Sequence, residues 1–235
     1  MADAERIAFE QMLVHNLKAP LTALMASLEM LRDGDLGELS DAQRSAVSAM
    51  QDRGSDLVRM IDDVLDLARA ESPKFPVQVV PVDLSAFVRE VRAEWDGRIP
   101  RLTSGVAPGD TDVVADVAVL RRVFDNLLMN ARIHAGADAT VTLHAERSGD
   151  AVRITVADDG PGISAADVER VFDPFVTLTR PGEHRTHGLG LAYCRAALAA
   201  MDGTIAVVPG GRGATFVIEL PAAVALARQA LEQDQ

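Results

Sequence analysis

The 235-residue sequence contains little cysteine, no long apolar run and a shortage of positive charge. Its one cysteine, Cys194, excludes an intramolecular disulfide and fits a reducing compartment, where we expect a packing thiol in a helix. No apolar run reaches transmembrane length and no signal peptide precedes the first helix, so we predict a cytoplasmic segment without membrane contact. Because the chain begins almost at its first helix, we also expect it to be a fragment of a longer polypeptide that lacks an upstream input or membrane segment.

The formal net charge of -12 opposes general nucleic-acid binding, which requires a basic face. A local basic site for phosphates is still compatible with this charge, since a local field can oppose the net one. The hydrophobic fraction of 48% can supply real cores, and 235 residues suit one or two domains. We predict a helical hairpin over residues 1–71, a linker over 72–76, a second domain over 77–221 and a helical tail over 222–235.

Two amphipathic helices are predicted in the first domain. The first covers residues 3–32, and its apolar positions recur at steps of three and four: Phe9, Leu13, Leu17, Leu21, Leu24, Leu28 and Leu31. A turn-rich break over 33–38 and a capping box at Ser40 and Gln43 precede the second helix. Its apolar stripe has the same steps: Val47, Met50, Gly54, Leu57, Ile61, Val64 and Ala68.

An antiparallel hairpin of this size leaves both stripes half covered. We therefore predict that two copies pair into a four-helix bundle, which makes the chain a homodimer. The alternative is that the hairpin docks on another domain of the same chain.

His15 lies two residues from both Leu13 and Leu17, so at about 100° per residue it points away from the first stripe and into solvent. Pro20 cannot donate to the carbonyl of Asn16, which predicts a loosened or bent helix just after His15. A solvent-facing imidazole beside a weakened turn can be presented to a reactive group. For this stretch taken alone, a surface histidine without a function is the alternative.

Strands and helices alternate beyond the linker. We predict strands over 77–80, 113–115, 140–146, 152–156, 204–208 and 215–220. Predicted helices follow Asp83, Asp116 and Ser164 as N-caps and end near Trp95, Ala135 and Val171, and a further helix runs from Gly188 to about Met201. Turns at 147–150 and 210–213 join neighbouring strands, and a loop covers 173–186. This order predicts an α+β two-layer sandwich, with one mixed sheet and helices on one face.

Three short motifs in this domain can carry chemistry. Asp158 leaves a strand and enters a turn with Gly160 and Gly162, where glycine lets the backbone approach a flat ligand. The Asp158 carboxylate can accept from an exocyclic amine such as that of adenine. Residues 188–191 open a helix whose N–H groups and dipole can hold phosphate. Taken alone, both glycine patterns also fit an ordinary turn.

The third motif places Asn126 and Asn130 on one helix face at i and i+4. Mg²⁺ requires oxygen ligands and keeps several waters, so one amide oxygen with triphosphate oxygens would suffice. A solvated helix face is the alternative for such an Asn pair.

The order and spacing of the three motifs resemble those of the sensor histidine kinases of two-component signalling, over about residues 9–221. Residues 15–20 resemble the phosphoacceptor box, and 126–130 resemble the Asn box. The two glycine boxes are similar to 158–162 and 188–191, the aromatic box to 171–175 and the closing strand pair to 211–216. The resemblance implies a dimerisation hairpin followed by a Bergerat-type ATP-binding domain. It also implies that ATP phosphorylates His15, which passes the phosphoryl group to an aspartate of a response-regulator receiver domain.

The resemblance further implies roles for individual residues. Asp158 would bind adenine with support from Thr215, and Asn130 would be the Mg²⁺ ligand. Residues 177–187 would form a mobile lid. The implied nucleotide-binding set is Asn126, Asn130, Arg132, His134, Asp158, Gly160, Gly162, Phe172, His187, Gly188, Leu189, Gly190 and Thr215, with His15 and Asn16 as the catalytic pair. The implied cofactors are ATP and Mg²⁺.

Two departures from the family pattern lie beside His15. Asn16 stands where Glu or Asp is usual, and an amide oxygen can accept the imidazole N–H bond but cannot take the proton. We therefore predict autophosphorylation at a reduced rate. Ala19 replaces the Thr or Asn that orients water in kinases that dephosphorylate their regulator, which predicts weak phosphatase activity.

Other departures lie near the implied phosphates. Ile133 stands where a lysine often reaches the phosphates, and Arg132 is one step off. Thr186 replaces a glycine before the second glycine box, which predicts a stiffer lid hinge. A metal site at His184 and His187 is disfavoured, because no carboxylate or thiol is arranged with them.

Two other functions are compatible with parts of the chain. ATPases of the gyrase, chaperone and mismatch-repair type share the ATP fold, but they carry a water-activating glutamate where this chain has Asn126. A non-catalytic dimeric scaffold that binds and controls a regulator is favoured only by the departures at 16, 19 and 133. Asn130, Asp158 and both glycine boxes oppose that alternative.

Overall fold

A computed structural model describes residues 2–99, 101–106, 111–136, 138–178 and 187–223, with side chains described from residue 18 onward. The chain divides into two compact units, Met1–Ala68 and Arg69–Gln235. The first unit is a helical hairpin, and the second contains both sheets. Of the helices in these ranges, none has the length and apolarity required to cross a membrane.

The hairpin consists of α1 (Ala2–Asp33) and α2 (Asp41–Ala70), and both predicted helices are confirmed. The predicted capping box is present at the start of α2. The Ser40 backbone N–H donates to Gln43 Oε1 at 2.9 Å, and the Gln43 N–H donates to Ser40 Oγ at 3.4 Å. α1 continues through Pro20 as one helix.

Few hairpin side chains are buried within a single copy. Leu28 of α1 and Val47 and Leu67 of α2 are buried. Gly54 lets α1 approach closely, because a Cβ at this position would overlap the Met25 sulfur. Much of the predicted apolar surface stays exposed, including Leu24, Met50, Leu57 and Val64. Pairing of these stripes with a second copy stays a prediction.

The second unit holds the remaining elements. They are β1 (Val80–Val82), α3 (Leu84–Trp95), β2 (Arg101–Gly105), β3 (Val113–Ala115), α4 (Val117–Ala135), β4 (Thr140–Ser148), β5 (Ala151–Asp158), a 3₁₀ turn (Arg170–Phe172), α5 (Gly190–Ala199), β6 (Thr204–Val208) and β7 (Thr215–Pro221). A five-stranded mixed sheet has the order β2-β4-β5-β7-β6, with β2 parallel to β4 and the other neighbours antiparallel. β1 and β3 form a separate antiparallel pair.

Two aspartates fix where α3 and α4 begin. The Asp83 carboxylate accepts from the Ala86 N–H at 2.8 Å. The Asp116 carboxylate accepts from the Ala118 and Val119 N–H groups at 3.0 and 3.2 Å. Both predicted N-caps are therefore confirmed, because a short acidic side chain satisfies N–H groups that the first turn leaves unpaired.

One face of the five-stranded sheet carries the core. Along β4, the buried residues alternate with exposed ones and are Val141, Leu143 and Ala145. β5 and β7 continue this buried face with Val152, Ile154, Val156, Phe216, Ile218 and Leu220. The helices supply the facing side chains, among them Val91, Phe124, Leu128 and Leu198. The predicted two-layer α+β arrangement is confirmed for this sheet.

β3 connects the first strand of the second unit with the last residues that are described. It pairs with β1, and its residue Val113 also bridges to Ala222. The Ala223 N–H donates to the Asp112 carbonyl at 2.9 Å, and the Ala222 N–H donates to the Asp150 carbonyl at 2.9 Å. One three-residue strand therefore holds both the first strand and the last described residues of this unit.

Two strand predictions are wrong. The strand predicted over 77–80 lies instead at Val80–Val82, because Gln78 donates its N–H to Asp116 Oδ2 at 2.8 Å and not to a neighbouring strand. The predicted single sheet is two sheets, since β1 and β3 pair apart from the other five strands. β2 was not predicted at all. It pairs in parallel with β4, with Arg101 opposite Thr140, and such a distant partner leaves no local pattern.

Two helix predictions also need correction. Residues 164–171 do not form a helix, because the Asp167 N–H donates to the Ser164 carbonyl at 3.0 Å, only three residues back, and turns lead from there into the 3₁₀ turn. α5 begins at Gly190 and not at Gly188, because Gly188 has φ 67° and its carbonyl accepts from the Phe175 N–H. Most of the predicted helical tail, residues 224–235, lies outside the described residues.

Candidate nucleotide-binding site

Asp158 ends β5 with its carboxylate bound to the following turn and to the start of β7. Its Oδ1 accepts from the Gly160 N–H at 2.9 Å and from the Ala214 N–H at 3.1 Å. Its own N–H donates to the Ala214 carbonyl at 2.9 Å. Because both side-chain bonds end on Oδ1, the carboxylate is held in place and Oδ2 is left to accept from a ligand. A half-buried carboxylate held in this way is suited to accept from an exocyclic amine.

Two glycines let this turn close. Gly213 has φ 88°, and a Cβ there would overlap the carbonyl oxygen of Asp158. Gly162 has φ 75°, and a Cβ there would lie 2.9 Å from the Gly213 carbonyl oxygen. Thr215 follows directly and pairs with Ala157 at the start of β7. The structure thus brings together the residues predicted for the adenine end, which are Asp158, Gly160, Gly162 and Thr215.

α4 contacts both glycine boxes at separate points along its length. At its C-terminal end, a Cβ on Gly160 would lie 2.7 Å from the Ala135 Cβ. Closer to its N-terminus, a Cβ on Gly190 would lie 3.0 Å from Asn126 Oδ1. Positions 126 and 135 are separated by about 14 Å along the helix axis, at about 1.5 Å per residue. α4 therefore spans from the Asp158 turn to the N-terminus of α5.

α5 begins without a side-chain cap. Leu189, the residue before its first turn, is 1% exposed and makes no side-chain hydrogen bond to that turn. Its carbonyl accepts from the Tyr193 N–H at 2.9 Å, which starts the helical pattern. The N–H groups of residues 190–192 are donors that an α-helix leaves without an intrahelical partner. Together with the helix dipole, such donors suit an anion such as phosphate.

Asn126, Asn130 and His134 form one row along α4 at steps of four, and all three are half-buried. Asn130 lies in the middle of this row, between the α5 end and the Asp158 end. Arg132 is exposed and lies two residues from Asn130, about 200° around the helix. It is therefore off the row, and Ile133 is the half-buried neighbour. Whether Arg132 replaces the missing lysine stays a prediction, and its place on the helix does not favour it.

The segments before and after the predicted lid meet at Gly188. Its carbonyl accepts from the Phe175 N–H at 2.9 Å, and a Cβ on Gly188 would lie 2.5 Å from the Val176 carbonyl oxygen. Phe172 is 3% exposed and packs into the core, with the Arg195 guanidinium 5.7 Å from its ring centre. Phe172 is thus a core residue on the segment that leads to the predicted lid, and direct contact between its ring and a nucleotide stays a prediction.

Several predicted residues lie at the limits of the described ranges or outside them. His187 is half-buried at the C-terminal end of the predicted lid, whereas lid residues 179–186 lie outside the described residues. The backbone of His15 and Asn16 lies within α1, but their side chains are outside the described ones. The solvent-facing orientation of His15 therefore stays a prediction. Ala19 is exposed.

No cluster of three or more His, Cys, Asp or Glu side chains in the described part of the chain is arranged to hold a metal ion. Asn130, by contrast, offers a single amide oxygen on the row between the two ends of the site. A single protein ligand is the arrangement expected for Mg²⁺ bound mainly by phosphate oxygens and water.

Sequence reasoning missed two contributors to this site. The Ala214 N–H holds Asp158 from a distant part of the chain, and only the glycines at 210–213 hinted at a close approach there. Cys194 was expected to be a packing thiol, and it is 0% exposed. Its sulfur also donates to the Val123 carbonyl at 3.7 Å, beside Asn126 on α4, and no local pattern indicates this contact.

Two family models match the chain. Residues 115–224 match the Histidine kinase-, DNA gyrase B-, and HSP90-like ATPase family. This match leaves kinases and other ATPases open. Residues 5–73, which include His15, match the His Kinase A (phospho-acceptor) domain. The chain belongs to the sensor histidine kinases of two-component signalling.

Named sensor kinases are similar to this sensor histidine kinase over most of its length. The adaptive-response sensory kinase SasA of a Synechococcus species is 31% identical over 217 residues, which cover 89% of this chain and 58% of SasA. The histidine protein kinase DivJ of Caulobacter vibrioides is 31% identical over 229 residues, which cover 94% of this chain and 38% of DivJ. The chain thus spans about half the length of the curated relatives it matches.

Solved kinase structures share the fold of this sensor histidine kinase. Full-length ShkA in complex with AMPPNP is 30% identical, with a TM-score of 0.74, over 90% of this chain and 45% of ShkA. The nucleotide-free catalytic domain of the histidine kinase ThkA is 27% identical, with a TM-score of 0.53, over 61% of this chain and 95% of that domain. A helical hairpin followed by an ATPase-type sheet is therefore an arrangement known in this family.

Proposed function

We propose that this sensor histidine kinase is an ATP-dependent protein-histidine kinase that phosphorylates His15 and passes the phosphoryl group to an aspartate of a response-regulator receiver domain. The observation that carries the proposal is the span of α4. It links the fixed carboxylate of Asp158 to the uncapped N-terminus of α5, with Asn130 between them. The same chain carries a histidine on its phosphoacceptor helix.

The Asp158 turn suits the adenine of ATP. Oδ1 of Asp158 is occupied by two backbone N–H groups, which leaves Oδ2 to accept from the exocyclic amine. Gly160 and Gly162 let this turn pack closely against Ala135 and Gly213, where any side chain would collide. Thr215 supports the same pocket from β7.

The α5 end suits the phosphate chain. The N–H groups of residues 190–192 would donate to phosphate oxygens, and the helix dipole would favour their negative charge. Asn130 would be the protein ligand of Mg²⁺, with Asn126 beside it. When bound, the ion would neutralise charge on the phosphates, which is the main requirement of phosphoryl transfer.

The proposed transfer needs a neutral imidazole. With the usual pKa near 6.5, a histidine side chain is largely neutral at about pH 7 and can act as a nucleophile. A ring nitrogen of His15 forms a bond to the terminal phosphorus while the bond from that phosphorus to the bridging oxygen breaks. ADP leaves with this oxygen and its electron pair. The proton of the imidazole passes to solvent, since the Asn16 amide can accept its hydrogen bond but cannot take it.

The hairpin is proposed to form a homodimer, and the receiver domain of a response regulator is the proposed second partner. The exposed apolar side chains Leu24, Met50, Leu57 and Val64 support pairing with a second copy, because such residues lose contact with water in a four-helix bundle. Ala19 is exposed and has no polar group to orient a water. We therefore propose that phosphatase activity toward the regulator is weak.

The direct test uses the purified chain with γ-labelled ATP and Mg²⁺. We expect acid-labile, base-stable label on His15, as a phosphoramidate requires. His15→Ala should remove the label while the affinity for Mg·AMPPNP stays within about twofold, because position 15 lies outside the nucleotide-binding unit. Label that persists in His15→Ala would contradict the assignment. Nucleotide binding without any phosphoramidate, even with a receiver partner present, would favour the scaffold alternative.

Asn16→Asp should accelerate autophosphorylation by at least about tenfold, because a carboxylate can take the imidazole proton that an amide can only hydrogen-bond. The measurement is the initial rate of label incorporation at saturating ATP. Asn16→Ala is the matched control, and it should be slower than the natural chain because it removes the acceptor. An unchanged or slower rate in Asn16→Asp would remove this account of residue 16.

A further inference from the structure

Asn126 lies against α5 at two places. Its side-chain amide lies beside the Cys194 sulfur, where it acts to lower the pKa of the thiol. Its Oδ1 faces the backbone of Gly190, where a Cβ would lie only 3.0 Å away. Gly190 is the first residue of α5, and Cys194 lies one turn later on the same face, at i+4. The amide of Asn126 is therefore fitted to the first turn of α5.

Cys194 has the burial and bonding of a polar anchor. It is 0% exposed, and its Sγ lies 3.7 Å from the Val123 carbonyl oxygen. The thiol therefore donates to the Val123 carbonyl, and the Asn126 amide lies within one turn of that carbonyl on α4. Burial raises the pKa of Cys194 to about 12, so the thiol stays protonated and neutral.

We propose that Asn126 is a positioning residue, with Cys194 as its partner, which holds the phosphate-binding first turn of α5 against α4. Asn126, Gly190 and Cys194 are called the α4–α5 clip. Asn130 lies one turn further along α4, so the clip fixes the distance between the proposed Mg²⁺ ligand and the N–H donors of α5. The identity of the ligand as a nucleotide rests on the proposed function. The geometry of the clip rests only on contacts within the second unit.

Disrupting the clip should weaken the binding of the phosphates and leave the binding of adenine unchanged. The Asp158 turn touches α4 near Ala135, at the opposite end of the helix. A change at Cys194 therefore moves the α5 donors but leaves the adenine end in place. Cys194→Val adds one methyl group and has no polar atom, so it leaves the Val123 carbonyl without the thiol donor. Cys194→Ser keeps both a donor and an acceptor.

The first experiment compares binding of Mg·AMPPNP, ADP and adenosine by calorimetry. In Cys194→Val, we expect affinity for Mg·AMPPNP to fall about tenfold, ADP to lose less and adenosine to stay within about twofold. Cys194→Ser should restore Mg·AMPPNP binding to within about threefold. Leu198→Val is the matched control, since Leu198 is a fully buried residue of α5 outside the clip. It should lower the melting temperature without weakening any of the three ligands.

The second experiment does not depend on nucleotide binding. Hydrogen exchange of the amides at 193–197, the first that bond within α5, should be about tenfold faster without ligand in Cys194→Val than in the natural chain or Cys194→Ser. Equal losses for adenosine and Mg·AMPPNP, failure of Ser to rescue, or unchanged exchange would each overturn the clip. A natural chain that binds no nucleotide would overturn the proposed function, and exchange would still decide the clip. Cys194→Ala replaces Cys194→Val if the latter does not fold.

Discussion

Asp158→Asn should abolish nucleotide binding in a chain that still folds, with the affinity for Mg·AMPPNP falling at least about 100-fold. The Asn oxygen can keep the position of Oδ1 and its bonds to the Gly160 and Ala214 N–H groups. The amide nitrogen then replaces Oδ2 and points a donor at the donor of the adenine amine. A site built around one hydrogen bond strongly rejects the partner that cannot make it.

Asp159→Asn is the matched control for this substitution. Asp159 is the next residue and is exposed, and its Oδ1 accepts from the Thr140 N–H at 2.9 Å. That backbone bond is the main reason why the pKa of Asp159 lies below its usual value. An amide oxygen can still accept the bond, so affinity should stay within about twofold. Equal losses in both variants, measured by calorimetry, would mean that charge near the turn matters and not the amine contact.

Gly213→Ala should lower the free energy of unfolding of the second unit by more than about 3 kcal/mol. Two costs add at this position. The backbone has φ 88°, which L-residues rarely adopt, and a Cβ would overlap the carbonyl oxygen of Asp158. The obstacle is backbone, so no side-chain rotation can relieve it. The turn before β7 must then move away from Asp158, which also breaks the bond from the Ala214 N–H.

Gly210→Ala separates the two costs. Gly210 has φ 82° in the same turn, but a Cβ there would meet nothing within 4 Å. Only the backbone strain remains, so the loss should be about 1 kcal/mol. Urea unfolding with both variants gives the comparison, with equal slopes required before the free energies are subtracted. A Gly213→Ala protein as stable as Gly210→Ala would show that the turn can open without loss.

Elements with local signals were predictable from the sequence. Asp83, Asp116 and the pair Ser40 and Gln43 each bind N–H groups a few residues away, so the residue types alone locate three helix starts. Strands β4 and β5 alternate cleanly because one of their faces is buried and the other is not. For these elements, the pattern in the sequence and the cause in the structure are the same.

Elements that depend on distant partners were not predictable in this way. β2 exists because Leu102 and its neighbours pair in parallel with β4, almost forty residues later. Ser164 has the residue type of a helix cap, but the Asp167 N–H bonds to the Ser164 carbonyl and closes a tighter turn than an α-helix has. The sequence does not reveal which kind of turn forms there.

The candidate site likewise contains features that the sequence predicts and features that depend on distant contacts. Asp158, Asn130 and the glycine boxes stand out as residue types with a known use. The contacts that hold them in place, from the Ala214 N–H to Asp158 and from Cys194 to the Val123 carbonyl, join residues far apart in the chain. The chemistry was therefore predictable from the sequence, whereas the supports that give it geometry required the structure.

The position of β3 determines which residues must be kept together if the second unit is moved to another protein. Because β3 pairs with β1 and also bridges to Ala222, the first strand of the second unit and its last described residues meet at one short ribbon. We therefore expect that a graft of residues 80–223 onto a different hairpin would keep every described strand paired. A truncation before Ala222, by contrast, removes its bridge to Val113 and its N–H bond to the Asp150 carbonyl, so β1 and β3 lose a contact to the rest of the unit.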